Sequence, residues 1–166
     1  MDLSTIISKC ILQIRRESPF FASLMLFAPI IKSKSIATAA TDGKNILIND
    51  KFFSSLSSSE QNAVVLHEVL HLALLHVFRI NNRNPEVWNI AADIVVNGMI
   101  ENEGKVKIPS FGIRDKKLEH LSVEEVYEIL LKNKNNFKEK FNDLIYEDKD
   151  KDEFEKVRKS LSSYLL

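Results

Sequence analysis

The sequence has little that would tie it to a membrane, a nucleic acid or an oxidising compartment. A single cysteine, Cys10, stands among 166 residues. It leaves no way to form an intrachain disulfide or a multi-thiolate metal site, so a reducing compartment is expected. Cys10 itself reads as a small buried hydrophobe. Net charge is missing too. Lys plus Arg and Asp plus Glu both number 23, which removes the electrostatic reason for non-specific binding to nucleic acid or to an anionic membrane surface. Neither is expected as a partner. Long apolar runs are also absent: the longest, Phe20 to Ile31, is interrupted by Ser23 and Pro29 and falls short of the roughly 20 residues a membrane helix needs. Nor does it read as a signal peptide, because Asp2 opens the chain and Lys32 and Lys34 follow the run where small cleavage-site residues belong. A cytoplasmic location is expected. No internal repeat and no low-complexity tract is present.

With 45% hydrophobic and 28% charged residues, the composition is that of a folded globular chain with one domain and room for an appended segment. Leu3, Ile6, Ile7, Ile11 and Ile14 recur at helical spacing, which predicts an amphipathic helix over 3–17 ended by Ser18 and Pro19. A second short helix is expected over 20–27. Asp42-Gly43 between the runs 35–41 and 44–49 is a hairpin signal, with positive φ expected at both turn positions. Ser57 and Glu60 form a capping box that opens a long helix running to about Arg79, apolar on nearly every face and therefore central. Asn84-Pro85-Glu86 supplies a cap, a proline at the first helical position and an acid in the first turn. The helix it starts carries Trp88, read as a core anchor, and runs to about Glu101, with Gly104 as its stop. A second capping box, Ser122 with Glu125, opens a helix to about Leu131. Beyond Lys132 the composition turns to Asn, Lys, Glu and Asp, although Phe137, Phe141, Leu144 and Ile145, and then Phe154, Val157 and Leu161, keep helical spacing. The expected organisation is a domain over 1–132 and a charged tail over 133–166 with two short amphipathic helices.

His67-Glu68-Val69-Leu70-His71 is an H-E-x-x-H motif inside the long helix. At about 100° per residue, positions four apart lie one above the other, so both imidazoles can face one metal ion with Glu68 on the adjacent flank. Ionisable groups inside an otherwise apolar helix are costly unless they share a partner such as a metal. Catalytic zinc takes three protein ligands. The extended motif with a third histidine ten residues after the first is excluded, because that position is Val77. His76, nine residues from His67, is expected about 180° away on the same helix, as a snug or surface residue. The better third ligand is Asp93, a carboxylate among Ile90, Ala91, Ala92, Ile94 and Val95 that needs a partner to stay charged. The competing ligands are Glu86, Glu101 and His120. Asn89, Asp93 and Asn97 form a polar stripe that can orient ligands by hydrogen bonds. No oxyanion donor is identifiable; His120 and Tyr127 are the only guesses, and both read more naturally as structural.

A set of ordered motifs carries a family resemblance. Ala40-Thr41-Asp42-Gly43, Leu56-Ser57, Leu66-His67-Glu68-Val69-Leu70-His71, Trp88-Asn89-Ile90-Ala91-Ala92-Asp93 with Asn97, and Leu121-Ser122-Val123-Glu124-Glu125-Val126-Tyr127 resemble, in order and spacing, the bacterial putative metallopeptidase domain often found N-terminal to a von Willebrand factor A-like domain. The resemblance covers about residues 1–132. It implies an α+β, zincin-like fold, mainly helical with a small antiparallel hairpin or sheet and a central H-E-x-x-H helix. It also implies His67, His71 and Asp93 on Zn2+ and Glu68 as general base. Family members often continue into a long C-terminal half bearing an Asp-x-Ser-x-Ser motif, which these residues lack; a short natural form or a shortened version of a longer protein is expected. The function expected is zinc-dependent hydrolysis of a peptide or protein substrate, with the hairpin offering an edge to an extended chain. The rival is a zinc-stabilised interaction module without catalytic activity, whose tail helices dock a partner protein.

Overall fold

The computed structural model describes residues 2–132 apart from 105, 107, 110 and 111. The tail helices expected over 133–166 lie outside the described residues. The chain order is α1 (Leu3–Glu17), α2 (Pro19–Leu24), a 3-10 turn (Met25–Phe27), β1 (Ile30–Lys32), β2 (Ala39–Thr41), β3 (Ile46–Ile48), α3 (Asp50–Ser55), α4 (Ser58–Ala73), α5 (His76–Arg79), α6 (Pro85–Glu103) and α7 (Val123–Lys132). This is an α+β arrangement, mostly helical with a small sheet.

The expected helix starts are borne out, and the reasons are local. Ser57 Oγ accepts from the Glu60 amide while the Glu60 carboxylate accepts from the Ser57 amide, closing the capping box of α4. Asn84 Oδ1 accepts from the Val87 amide at 3.1 Å ahead of Pro85, and Ser122 and Glu125 exchange the same reciprocal bonds before α7. Gly104 ends α6 in the left-handed region, at φ 67°.

Three expectations are corrected. The hairpin belongs to a three-stranded mixed sheet of order β1-β3-β2, with β1 parallel and β2 antiparallel to β3. Its strands are shorter than the apolar runs, and Thr41 pairs with Ile46, so the turn has four residues, 42–45. Only Gly43 has positive φ there, at 88°. Asp42 accepts from the Lys44 and Asn45 amides instead, and Thr41 Oγ1 bonds Asn45 O and the Gly43 amide. The short helix α3, capped by Asn49 through the Phe52 amide, was not anticipated. The third correction is that α4 stops at Ala73 rather than near Arg79. Leu75 takes the left-handed conformation at φ 56° and ψ 34°, and the chain restarts as α5 in a new direction.

Two apolar clusters meet on α6. One gathers α1, α2, the sheet, Phe53 of α3, the inner face of α4 and Val96 and Ile100 of α6. The other packs Val87, Trp88, Ala91, Ile94 and Val95 of α6 against Val123, Val126, Tyr127 and Leu130 of α7. Buried on two sides, α6 is fixed against α4, which sets the relative height of their polar residues. Cys10 is buried in the first cluster, and burial pushes its thiol up to about 11. Trp88 is a core anchor as expected, fully buried with its indole nitrogen bonded to a backbone oxygen. Among the described residues no helix is long and apolar enough to cross a membrane.

Candidate metal centre

The centre forms where α4 passes α6. His67 and His71 share one face of α4, and Asp93 reaches them from α6. His67 Nε2 and His71 Nε2 are 2.9 Å apart, and Asp93 Oδ1 is 3.1 Å from His71 Nε2 and 3.4 Å from His67 Nε2. Nitrogen and oxygen ligands at about 2.0–2.1 Å from one tetrahedral ion stand about 3.3 Å from each other. The three donor atoms therefore outline one face of such a tetrahedron, and these three residues can hold a metal ion. They are partly open, the side chains of His67, His71 and Asp93 being 22%, 13% and 20% exposed.

The hydrogen bonds behind the histidines decide which nitrogen is available. Asn97 Nδ2 donates to Ile113 O at 2.8 Å, which fixes the orientation of its amide. Asn97 Oδ1 therefore faces His67 Nδ1, 2.9 Å away, and accepts a hydrogen bond from its N–H. In neutral His67 the lone pair is then on Nε2, facing Asp93. Of the polar stripe on α6, Asn97 thus orients His67, as its spacing from Asp93 suggested, while the side chain of half-buried Asn89 makes no hydrogen bond among the described residues.

These groups perturb one another. Burial pulls the His67 imidazole toward the neutral form, but the hydrogen bond and charge of Asp93 outweigh it and lift the group to about 9. Asp93 moves the other way: burial raises it, and its bonds to His67 and His71 pull it well below the usual carboxylate range. Glu68, buried beside His67, is raised by that burial, against the opposing pull of the two histidines. Among the described residues nothing donates a hydrogen bond to its carboxylate, which leaves it able to take up a proton.

Any metal held by these residues would have to compete with a proton on His67. A folded-state value raised above the ordinary 6.5 stabilises the metal-free protein fully below that ordinary value, and the contribution is lost as pH rises toward about 9. A metal needs the bare Nε2, so its affinity rises by up to about tenfold for each pH unit in that window. The thermal shift caused by saturating zinc is expected to widen from pH 6 to pH 8 while the melting temperature of chelated protein falls. A zinc-induced shift independent of pH would contradict the protonated His67–Asp93 pair.

The other candidates lie elsewhere. Glu86 is exposed at the start of α6, Glu101 pairs with Arg114 at 3.2 Å, and His120 is exposed near Glu125. Tyr127 is structural: its hydroxyl accepts from the Asn84 amide at 2.9 Å, and its ring packs on Trp88. His76 corrects the sequence reading. The break after α4 swings it back, so that it is 2% exposed with Nδ1 3.1 Å from His71 Nδ1. Burial, and then the nearby His71, pull it down to about 3, holding it neutral.

The profile of the family described as "Putative metallopeptidase domain" matches residues 3–160. The chain belongs to this family. The match of the metallopeptidase-domain profile runs past residue 132, where the motif resemblance stops, and into the charged tail. A protein of Thermotoga maritima, named only "Uncharacterized protein", is 27% identical over 111 residues, which cover 62% of this chain and 28% of that protein. The chain thus spans less than a third of that relative's length. No solved structure matches.

Proposed function

We propose that this metallopeptidase-domain chain is a zinc-dependent hydrolase that cleaves peptide bonds, with Glu68 as general base. The observation that carries the reading is the half-open triangle of His67, His71 and Asp93 donors with a buried, unbonded carboxylate one residue along α4. A closed structural site needs four protein donors, and the described residues bring together three. His67 and His71 Nε2 and Asp93 Oδ1 would hold the ion. Zinc bound there would supply Lewis acidity toward a water molecule and a carbonyl oxygen. Every proton movement falls to the chain itself. The Glu68 carboxylate accepts the water's proton on one oxygen and delivers it to the nitrogen of the departing amine. The raised proton affinity that burial gives Glu68 brings it closer to the working pH, where a group can both take and return a proton. Asn97, bonded to Ile113 O, keeps His67 Nε2 turned inward. Strand β2 ends the sheet and packs against α4, so an extended substrate would add along that edge and lie across the centre. The lone buried thiol suits work in the cytoplasm.

The experiment is digestion of unfolded proteins and a peptide mixture by zinc-loaded protein, with new termini read by mass spectrometry. Cleavage that stops on chelation and returns with zinc is expected. Stoichiometric zinc with no cleavage of any substrate would overturn the hydrolase reading in favour of a zinc-stabilised interaction module.

A further inference from the structure

His76 is the one buried histidine that the proposed chemistry leaves unused, and the fold goes to unusual lengths to place it. Leu75, 53% exposed, sits in the left-handed region that non-glycine residues rarely enter, and this single residue turns the chain so that His76 faces back along α4. Four hydrogen bonds hold the turn, one local and three to partners farther along the chain. Arg79 donates to Leu74 O at 2.9 Å and pairs with Glu124 of α7 at 2.6 and 3.1 Å. The Trp88 indole of α6 donates to His76 O at 3.0 Å. The His76 ring then makes one polar contact among the described residues, Nδ1 to His71 Nδ1 at 3.1 Å; its Nε2 is buried without a partner.

We propose that His76 is a positioning residue for the metal centre, accepting a hydrogen bond from His71 Nδ1 and so holding His71 Nε2 toward the ion. The inference rests on the reading of His67, His71 and Asp93 as metal ligands. Its logic is proton bookkeeping between two rings. One proton can occupy the space between the two Nδ1 atoms. A neutral His71 has a lone pair on Nε2 only when its proton is on Nδ1, so His71 must be the donor and His76 the acceptor. The centre is then symmetric in design: Asn97 Oδ1 accepts from His67 Nδ1 on one side, and His76 Nδ1 accepts from His71 Nδ1 on the other. Outer partners of this kind fix the tautomer and orientation of a ligating imidazole, and their loss typically weakens metal binding ~10–100-fold.

The test combines zinc affinity, by competition with a chromogenic chelator, with nitrogen NMR on the wild-type protein. His76→Leu is expected to bind zinc ~10–100-fold more weakly. His76→Asn, whose Oδ1 stands where the ring Nδ1 was, is expected to recover most of the loss, a rescue that mere filling of space would not produce. In zinc-loaded wild type, uniformly labelled with nitrogen-15, a coupling across the hydrogen bond between His71 Nδ1 and His76 Nδ1 is expected, and it remains readable if a variant fails to fold. Absence of that coupling, equal affinity in all three proteins, or equal loss in both variants would overturn the role of His76. Failure of the wild type itself to bind zinc would instead bring down the metal centre on which the inference rests.

Discussion

Zinc affinity is expected to fall in the order wild type, Asp93→Asn, Asp93→Ala. The alanine variant should lose more than the ~10–100-fold that removal of an outer hydrogen-bond partner costs, because it deletes a donor atom outright. Asp93 Oδ1 stands 3.1 and 3.4 Å from the two histidine nitrogens, and no other carboxylate of the described residues joins the cluster to replace it. Asparagine keeps the shape and one oxygen but gives up the charge, so it should fall between the two. Since binding and stability are linked, the thermal shift on adding zinc should shrink in the same order. Competition against a chelator of known affinity measures the first effect and differential scanning fluorimetry the second. Equal affinity in wild type and Asp93→Ala would refute the assignment of the third ligand and leave the helical histidine pair standing.

Glu68→Gln separates holding the metal from using it. The amide keeps the shape of the carboxylate but cannot take a proton from water, so turnover of any substrate found is expected to drop ~10²–10⁴-fold. Zinc content should stay at one ion per chain, because Glu68 is not among the three clustered donors. Neither should the fold suffer: glutamine replaces a buried carboxylate that accepts no hydrogen bond within the described residues and whose ionised form burial disfavours. Cleavage at the wild-type rate would remove Glu68 from the mechanism.

What the sequence made legible was whatever is written within a few residues of itself. Ser57 with Glu60, Asn84 with Pro85, and Ser122 with Glu125 announce helix starts because each pair satisfies backbone groups of its own first turn. His67 and His71 share a face through helix geometry alone. Asp93 was legible more weakly, as a carboxylate stranded in an apolar stretch. The break at Leu75 was not legible at all. Ala73, Leu74, Leu75 and His76 carry no glycine or proline, and their propensities favour continuing the helix. The turn is held by partners far along the chain, Glu124 for Arg79 and Trp88 for His76 O, so tertiary structure overrides local preference there. Sequence reasoning therefore placed His76 on the wrong side. The parallel pairing of β1 with β3 was hidden for a related reason, because three residues carry too short an alternation to announce a strand that is specified by its neighbour. The short helix α3 did have a signal, Asn49 followed by Asp50 at a cap, which could have been used.

The central claim, that His67, His71 and Asp93 bind one zinc ion, is tested most directly by a crystal structure of zinc-loaded protein with anomalous difference maps above and below the zinc edge. The expected result is one zinc-specific peak per chain, within bonding distance of His67 Nε2, His71 Nε2 and a carboxylate oxygen of Asp93, with Glu68 beside it and unbound. A peak ligated by Glu86, Glu101 or His120, or no peak at this centre in protein shown to contain zinc, would contradict it.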